Sequence, residues 1–453
     1  MDDLSENNAL PSAILPLNAS HRTTLKTCVR AVLLAADPVR AVREALASYP
    51  LLGERVLVVG AGKAGERMAE GALAALGSRI KGGWLNVKGD QPPSSIGPLT
   101  IHPASHPLPD ERGLAGTEQI VRLAQSEADS LLVLISGGGS ALLELPASPL
   151  TLSDLQATTD LLLRAGADIH QLNAVRKHLS QVKGGGLARL AAPTNLLTLA
   201  ISDVVGDDLA VIASGPTVPD PTTFADALAV LDRFALRERV PEPVLTRLQA
   251  GAAGNLEETA KIGDPAFSHA RSYVIASNQL ALNAALVVLR SGGYSTARAP
   301  LYLSGEAREF ANLLAAYITG AVARKPANWG LLFGGETTVQ VQGSGRGGRN
   351  QELALAFALA LDSQREKLMG RSITLASLAT DGDDGSGGAA GAIADQYTVQ
   401  RAAACGLDAG EYLANNDSYS FWQRLAQCTG GQPQIVTGLS GTNVNDIVIV
   451  LVS

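Results

Sequence analysis

Short apolar runs, many of them leading straight into glycine, alternate along this chain with stretches of helical spacing. In the first half such runs fall at 56–59, 84–87, 131–135 and 196–201; in the second they fall at 273–276, 331–333, 373–378 and 447–451. Helical patterns fill 23–35, 39–48, 152–163, 279–290 and 350–361, and Thr151 with Asp154 has capping-box spacing. Strand-then-helix repetition buries a mostly parallel sheet on both faces, so the pattern predicts an α/β fold. At 453 residues the chain exceeds one ordinary core. Periodicity is lost around 241–264, which predicts two domains, 20–255 and 270–453, with residues 1–20 as a loose polar arm.

Composition narrows the function. Net charge is −7 with no block of like charges, which disfavours nucleic acid and anionic membranes as partners. The three cysteines, Cys28, Cys405 and Cys428, lack metal-ligand spacing and are expected as reduced, buried thiols. Neither a signal pattern nor a bilayer-length apolar run is present, so a soluble cytoplasmic protein is expected.

Residues 60–65 read GAGKAG, a G-x-G-x-x-G turn between the run 56–59 and a helical stretch. Such a turn lets backbone N–H groups approach a pyrophosphate, and it predicts a Rossmann-like first domain. Lys63 inside it is a cation that a dinucleotide turn does not need. The acid expected about 20 residues further on, to bind a ribose, is unconvincing: the run 84–87 ends in Lys88, with Asp90 beyond.

Other run ends carry chemistry of the same kind. Ser136, Gly137, Gly138, Gly139 and Ser140 form a glycine-rich turn suited to anions. Within 169–183, read as one helix, Asn173, Arg176, Ser180 and Lys183 form a polar stripe beside the apolar stripe Leu172, Val175, Leu179 and Val182. Asp203 follows the run 196–201 and is a candidate general base, a metal ligand or a helix cap. Gly345, Arg346, Gly347, Gly348, Arg349 and Asn350 lead into the helix containing Glu352, a glycine frame that would present guanidinium and helix N–H groups to phosphate. Asp381, Asp383 and Asp384 follow the run 373–378 and suit Mg²⁺ shared with a substrate phosphate. The six histidines, His106 among them, lack ligand spacing and read as structural or solvated. P-loop, protein-kinase, nucleophile-elbow and zincin motifs are all missing.

Taken in order, VVGAGKAGERMA (58–69), HPLPDERG (106–113), LISGGGSALL (134–143), NAVRKHLSQVKGGGLA (173–188), GGETTV (334–339), GRGGRNQELAL (345–355), ATDGDDG (379–385) and GTNVNDI (441–447) closely resemble the glycerate 2-kinases with a C-terminal MOFRL domain. The resemblance runs from about residue 20 to the C-terminus. It implies a Rossmann-like domain, a smaller C-terminal α/β domain and an active site in the cleft between them. It further implies ATP-dependent, Mg²⁺-assisted phosphorylation of D-glycerate to 2-phosphoglycerate. The small-molecule partners would be D-glycerate and ATP, and a homodimer is compatible with it. Lys63, Asp203, Arg349 and Asp381 are the active-site residues carried over, with Asp381 and Asp384 on the metal. Gly62, the Ser136–Ser140 turn, Asn173, Arg176, Lys183, Gly345, Gly347, Asn350, Glu352, Thr442 and Asn443 would contact substrate or phosphate. Two loops depart from the family pattern: Gly385 is followed by Ser386 and Gly387 without the usual proline, and Leu439 stands where proline is expected. Asp203 or Asp381 would take the hydroxyl proton. Two rival readings are an NAD(P)H-dependent hydroxypyruvate reductase, a label the family has also carried, and a non-catalytic sensor of sugar acid or nucleotide.

Overall fold

The computed structural model describes residues 18–191, 194–298 and 302–453, so most of the expected N-terminal arm lies outside the described residues. The chain forms two compact units. The first comprises Asp37–Ser277 with Gly441–Asn443 and holds a seven-stranded sheet. Its strands are β1 (Val56–Ala61), β2 (Ile80–Lys88), β3 (Ser94–Ile96), β4 (Leu99–Ala104), β5 (Ser130–Ile135), β6 (Asn195–Ser202) and β7 (Ala270–Ser277). They lie in the order β3-β4-β2-β1-β5-β6-β7, all parallel except β3. The central strands β1 and β5 are buried along their whole length, which is why they read as unbroken apolar runs. Ala61 is level with Ile135 on one side and Asn86 on the other, so the turns after β1 and β5 leave the sheet side by side.

Two expectations need correction here. The run at 273–276 does not open the second domain; it lies in β7, which pairs with β6 at the edge of the first sheet. The helix expected over 169–183 spans only Ile169–His178. Beyond it the chain turns extended to pair with 145–147, Leu179 accepting from Ala147 N–H and Gln181 donating to Leu145, so Ser180 and Lys183 leave the helical stripe. The apolar set Leu172, Val175, Leu179 and Val182 is nonetheless buried, because both segments face the core. Thr151 and Asp154 do form a reciprocal capping box on helix Leu152–Arg164.

The second unit joins helix Ala19–Ala36 to Asn278–Ser440 and Val444–Ser453. Its sheet contains β8 (Ser295–Arg298), β9 (Trp329–Gly335), β10 (Ile373–Ala379), β11 (Gly391–Asp395), β12 (Gln434–Ile435) and β13 (Asp446–Val452), in the order β12-β11-β10-β13-β9-β8. Only β8 and β9 pair in parallel, so the mostly parallel pattern expected along the chain holds for the first sheet alone. Helix Arg349–Asp362 is buried on nearly all sides and packs on helix Ala307–Ala321 and on β10 and β11. Helix Ala19–Ala36 packs on helix Asn278–Ser291, burying Leu25, Cys28, Val29 and Val32. None of the described helices is long and apolar enough to cross a membrane.

Cys405 and Cys428 form a disulfide, against the expectation of reduced thiols; only Cys28 is a free, buried thiol. The bridge closes a loop of sequence separation 23 between helices Thr398–Ala404 and Ser418–Thr429. Constraint of the unfolded chain over such a loop is worth about 3 kcal/mol. Cys428→Ser is therefore expected to lower the second unit's unfolding free energy by about that amount, and added reductant should reproduce the loss in the parent protein; denaturant titration with and without dithiothreitol checks both.

His21, in the second unit, is buried with Nδ1 2.9 Å from Thr374 Oγ1, and burial pushes its pKa down to about 4. The folded protein thus keeps His21 neutral where the unfolded chain binds a proton. Lowering the pH from about 6.5 to about 4 is expected to destabilise this unit, by up to ~3 kcal/mol. A His21→Phe variant should show a flatter stability profile across that window in denaturation at stepped pH.

Candidate active site

In the first unit the turns after β1, β5 and β6, together with the segment after β4, meet on one short stretch of backbone. The β1 turn is tied to the β5 turn by Lys63 N–H to Gly137 O at 2.9 Å and by Ala64 N–H to Ser136 Oγ at 3.0 Å. Gly62 has a φ of +146°, and a Cβ there would lie 2.1 Å from Ser136 Oγ, so only glycine lets the two turns touch. Lys63 is exposed. A Cβ on Gly137 would lie 2.2 Å from Asp203 Oδ2, which places that carboxylate against the glycine turn. A Cβ on Gly138 would lie 3.0 Å from His106 Nε2 and 3.4 Å from Lys63 Cε, so these two side chains flank the same glycine. His106 is half-buried, and burial followed by the charges of Lys63 and Lys88 lowers its pKa. The sequence gives no sign of this arrangement, because His106 follows β4, which is separated from β5 by two strands.

The stripe residues do a different job from the expected one. Lys183 is fully buried; its ammonium donates to Ser140 O at 2.8 Å and Leu143 O at 2.6 Å and pairs with the buried Glu144 at 3.3 Å. Burial lowers its pKa to about 8. Arg176 donates to the same Ser140 carbonyl at 2.7 Å and stands 3.6 Å from Glu144. Asn173 is buried, accepts from Ser214 Oγ at 2.8 Å and donates to Val211 O; Ser140 Oγ is 2.9 Å from Ser214 Oγ. Lys183 and Asn173 therefore brace the glycine turn from beneath instead of presenting polar groups to a ligand, and Arg176 largely joins them.

The second unit assembles its charges around the first turn of helix Arg349–Asp362. Arg349 grips Asp446 at both oxygens, with Nε to Oδ2 at 2.5 Å and Nη2 to Oδ1 at 2.9 Å, while Nη1 meets the half-exposed Glu336 at 2.6 Å. Burial pushes the Asp446 carboxyl up to about 6 while Arg349 pulls it back; against its own burial, Asp446 and Glu336 hold the Arg349 guanidinium charged. Asp384, expected on a metal, is instead buried and caps this helix. It accepts from Asn350 N–H at 2.9 Å, Gln351 N–H at 2.8 Å and both of their side-chain amides. Asn350 is held further by Ser377 Oγ at 2.6 Å, and Glu352 is buried against Arg308 at 2.5 Å and Asn416 at 3.1 Å. The loop of Gly345 and Gly347 is anchored to 415–419, since Gly345 N–H donates to Asn415 O, Arg346 N–H to Asp417 Oδ1 and Tyr419 N–H to Arg346 O. That spends part of the expected anion nest. A cavity of about 450 Å³ opens here, lined by Glu336, Gly345, Gly347, Arg349 and Asp383 among others. Thr442 is buried and Asn443 half-buried, and both pack with the first unit.

A metal cage does not form: among the described residues no three His, Cys, Asp or Glu side chains are grouped to hold an ion. Asp384 and Asp446 spend both oxygens within the fold. Asp381 differs, being half-buried with Oδ1 accepting from Asp383 N–H at 3.1 Å, and burial raises its pKa. These residues fit one carboxylate contact to a cation carried by a substrate phosphate, and they do not fit a resident protein-held ion.

Each α/β unit thus carries a cation beside a glycine-rich segment, Lys63 in the turn after β1 and Arg349 at the start of helix Arg349–Asp362. Comparison with known proteins makes the assignment specific. Residues 24–249 match a domain of unknown function (DUF4147) and 329–446 match the MOFRL family. The chain is 38% identical to D-glycerate 2-kinase of Thermotoga maritima, covering 94% of this chain and 96% of the relative. It is 40% identical to glycerate 2-kinase of Pyrococcus horikoshii over 78% of each chain. The crystal structure of the Thermotoga maritima glycerate kinase superposes with a TM-score of 0.83 at 37% identity, covering 96% of this chain and all of that one. The chain belongs to the glycerate 2-kinase family with a C-terminal MOFRL region.

The capping role of Asp384 has a direct consequence. Asp384→Ala strands buried donors at the start of a core helix and is expected to cost about 3 kcal/mol of stability. Asp383→Ala, on the exposed neighbour, should stay within about 0.5 kcal/mol. Denaturant titration of the two variants separates a structural aspartate from a ligand, whose loss would leave stability intact.

Proposed function

We propose that this protein transfers the γ-phosphoryl group of ATP to the 2-hydroxyl of D-glycerate, giving 2-phosphoglycerate and ADP. The observation that carries the reading is the placing of exposed Lys63 beside Gly138, where the turns after β1 and β5 emerge level with each other. In open α/β sheets ligands bind at such a point. A cation there serves a transferring phosphoryl group, whose demands are positioning and charge neutralisation. The activities named for the Thermotoga maritima and Pyrococcus horikoshii relatives agree with this chemistry. Hydride transfer to hydroxypyruvate would need the turn to hold a dinucleotide, and neither Lys63 nor the absence of an acid at the end of β2 favours that.

Within this reading Lys63 neutralises the γ-phosphoryl oxygens. Arg349 meets an anion through Nη1, at the cost of its contact with the half-exposed Glu336, while Asp446 keeps the guanidinium plane fixed. In the second unit Asp381 would be the carboxylate available to a phosphate-borne Mg²⁺, which when bound would screen phosphate charge. The glycine turn Gly137–Gly139 offers backbone to the phosphate, braced by Lys183 and Arg176. Asp203 lies against this turn as a candidate proton acceptor.

Purified protein given D-glycerate, ATP and Mg²⁺ is expected to release ADP only when glycerate is present, with the 2-phosphate identified by ³¹P NMR. Oxidation of NADH or NADPH with hydroxypyruvate, and no ADP release, would overturn the kinase reading. Silence in both assays would point to a sensor. Lys63→Met is expected to lower kcat/KM by roughly 10²- to 10³-fold while leaving the thermal midpoint in place; a folded variant with full turnover would remove Lys63 from the mechanism.

A further inference from the structure

We propose that His106 is the general base of this reaction, its imidazole taking the proton of the glycerate 2-hydroxyl as that oxygen attacks the γ-phosphorus. The inference deepens the kinase reading and rests on it. Three observations converge. His106 and Lys63 flank one glycine: Gly138 has a φ of +82°, and a Cβ there would lie 2.8 Å from His106 Cδ2, 3.0 Å from Nε2 and 3.4 Å from Lys63 Cε. A base beside the cation that binds the phosphoryl group is within reach of a hydroxyl attacking that group. Second, the residue is half-buried, which leaves the ring a path to substrate and solvent. Third, it is kept neutral: burial, then Lys63 and Lys88, hold its pKa below the ordinary imidazole value, so it can accept a proton at neutral pH.

Asp203 and Asp381 are the two candidates expected for this task, and Asp203 lies against the adjacent Gly137. A carboxylate is a weak proton acceptor near neutrality, whereas general-base efficiency is greatest for groups that titrate closer to the working pH. The step balances as follows. The glycerate O–H bond breaks, its electron pair forms the O–P bond, and the proton goes to the His106 ring. The bond from the γ-phosphorus to the β,γ-bridging oxygen breaks and its pair leaves with ADP. The imidazolium then releases its proton to solvent, so ATP and glycerate give ADP, 2-phosphoglycerate and one proton.

The charged groups acting on His106 are Lys63 from the turn after β1 and Lys88 from the end of β2, while Asp203, beyond β6, lies against the neighbouring Gly137. Asp110 and Arg112 stand on its own segment, with Asp110 Oδ1 accepting from Ser105 N–H at 3.2 Å. Activity should therefore fall as the pH drops through the His106 pKa, with a limb below about pH 6.5. Removing the Lys88 charge in Lys88→Gln should move that limb to higher pH.

The test is kcat and KM across pH for wild type, His106→Gln, His106→Asn, His106→Gly, Asp203→Asn and Lys88→Gln, each checked for an unchanged thermal midpoint and retained ATP binding. Wild-type activity with glycerate is measured first; its absence defeats the kinase reading itself, before any variant is made. Given wild-type turnover, both conservative His106 variants are expected to lose roughly 100-fold in kcat, keep KM for glycerate within about threefold and lose the acid limb. Added imidazole should return part of the rate to His106→Gly. Wild-type kcat in a His106 variant would overturn the proposal. So would an acid limb that survives in His106→Gln and disappears in Asp203→Asn.

Discussion

Two neighbouring parallel strands whose connections run to opposite sides of a sheet leave a gap at their ends, because right-handed crossovers carry the two following helices to opposite faces. In the first unit that pair is β1 and β5: the chain goes outward from β1 through β2 to β4, then returns past β1 to add β5, β6 and β7. The reversal leaves GAGKAG and the Ser136–Ser140 turn side by side. Everything assigned to this unit follows from it, including the glycine at 62, the exposure of Lys63 and the approach of His106 and Asp203 to the β5 turn.

Buried carboxylates keep the reactive loops in shape. Glu144 sits beneath the first unit's glycine turn with Lys183 and Arg176. In the second unit Asp384 holds the start of helix Arg349–Asp362, and Asp446 fixes the Arg349 plane. A buried ion pair contributes little net stability, since desolvation offsets the attraction, but removing one partner leaves an expensive unpaired charge. Such pairs therefore enforce one geometry more than they add stability. Here that geometry is the position of a glycine turn in one unit and of a guanidinium in the other.

How much of this was legible depended on whether the signal was local. The strands β1, β5, β6 and β10 showed as apolar runs because they are buried on both faces, and Lys63 stood out because its motif is contiguous. Lys183 misled because a buried lysine and a solvated one have the same letter, and only the carbonyls of Ser140 and Leu143 distinguish them. Asp384 misled in the same way: an aspartate in an acidic loop reads as a ligand until the helix it caps, more than thirty residues earlier, is in view. The roles of His106 and Asp446 are not legible locally, because Lys63 and Gly138 follow other strands and Arg349 opens a helix 97 residues before Asp446. Strand β7 reads in the sequence as the start of the second domain, since a loss of periodicity marks a loop but not which sheet the next strand joins.

Helix Ala19–Ala36 belongs to the unit whose remaining elements begin at Asn278. A chain made from its N-terminus produces this helix before its partner, Asn278–Ser291, with Asp37–Ser277 of the first unit emerging between them. Through that interval Leu25, Val29 and Val32 are an apolar face without its partner. Domains tend to fold as they are synthesised, so the seven-stranded unit is free to close early while the second waits for its C-terminal half. The order of assembly is thus written into the connectivity, and the second unit cannot be cut out as a contiguous piece without leaving helix Ala19–Ala36 behind.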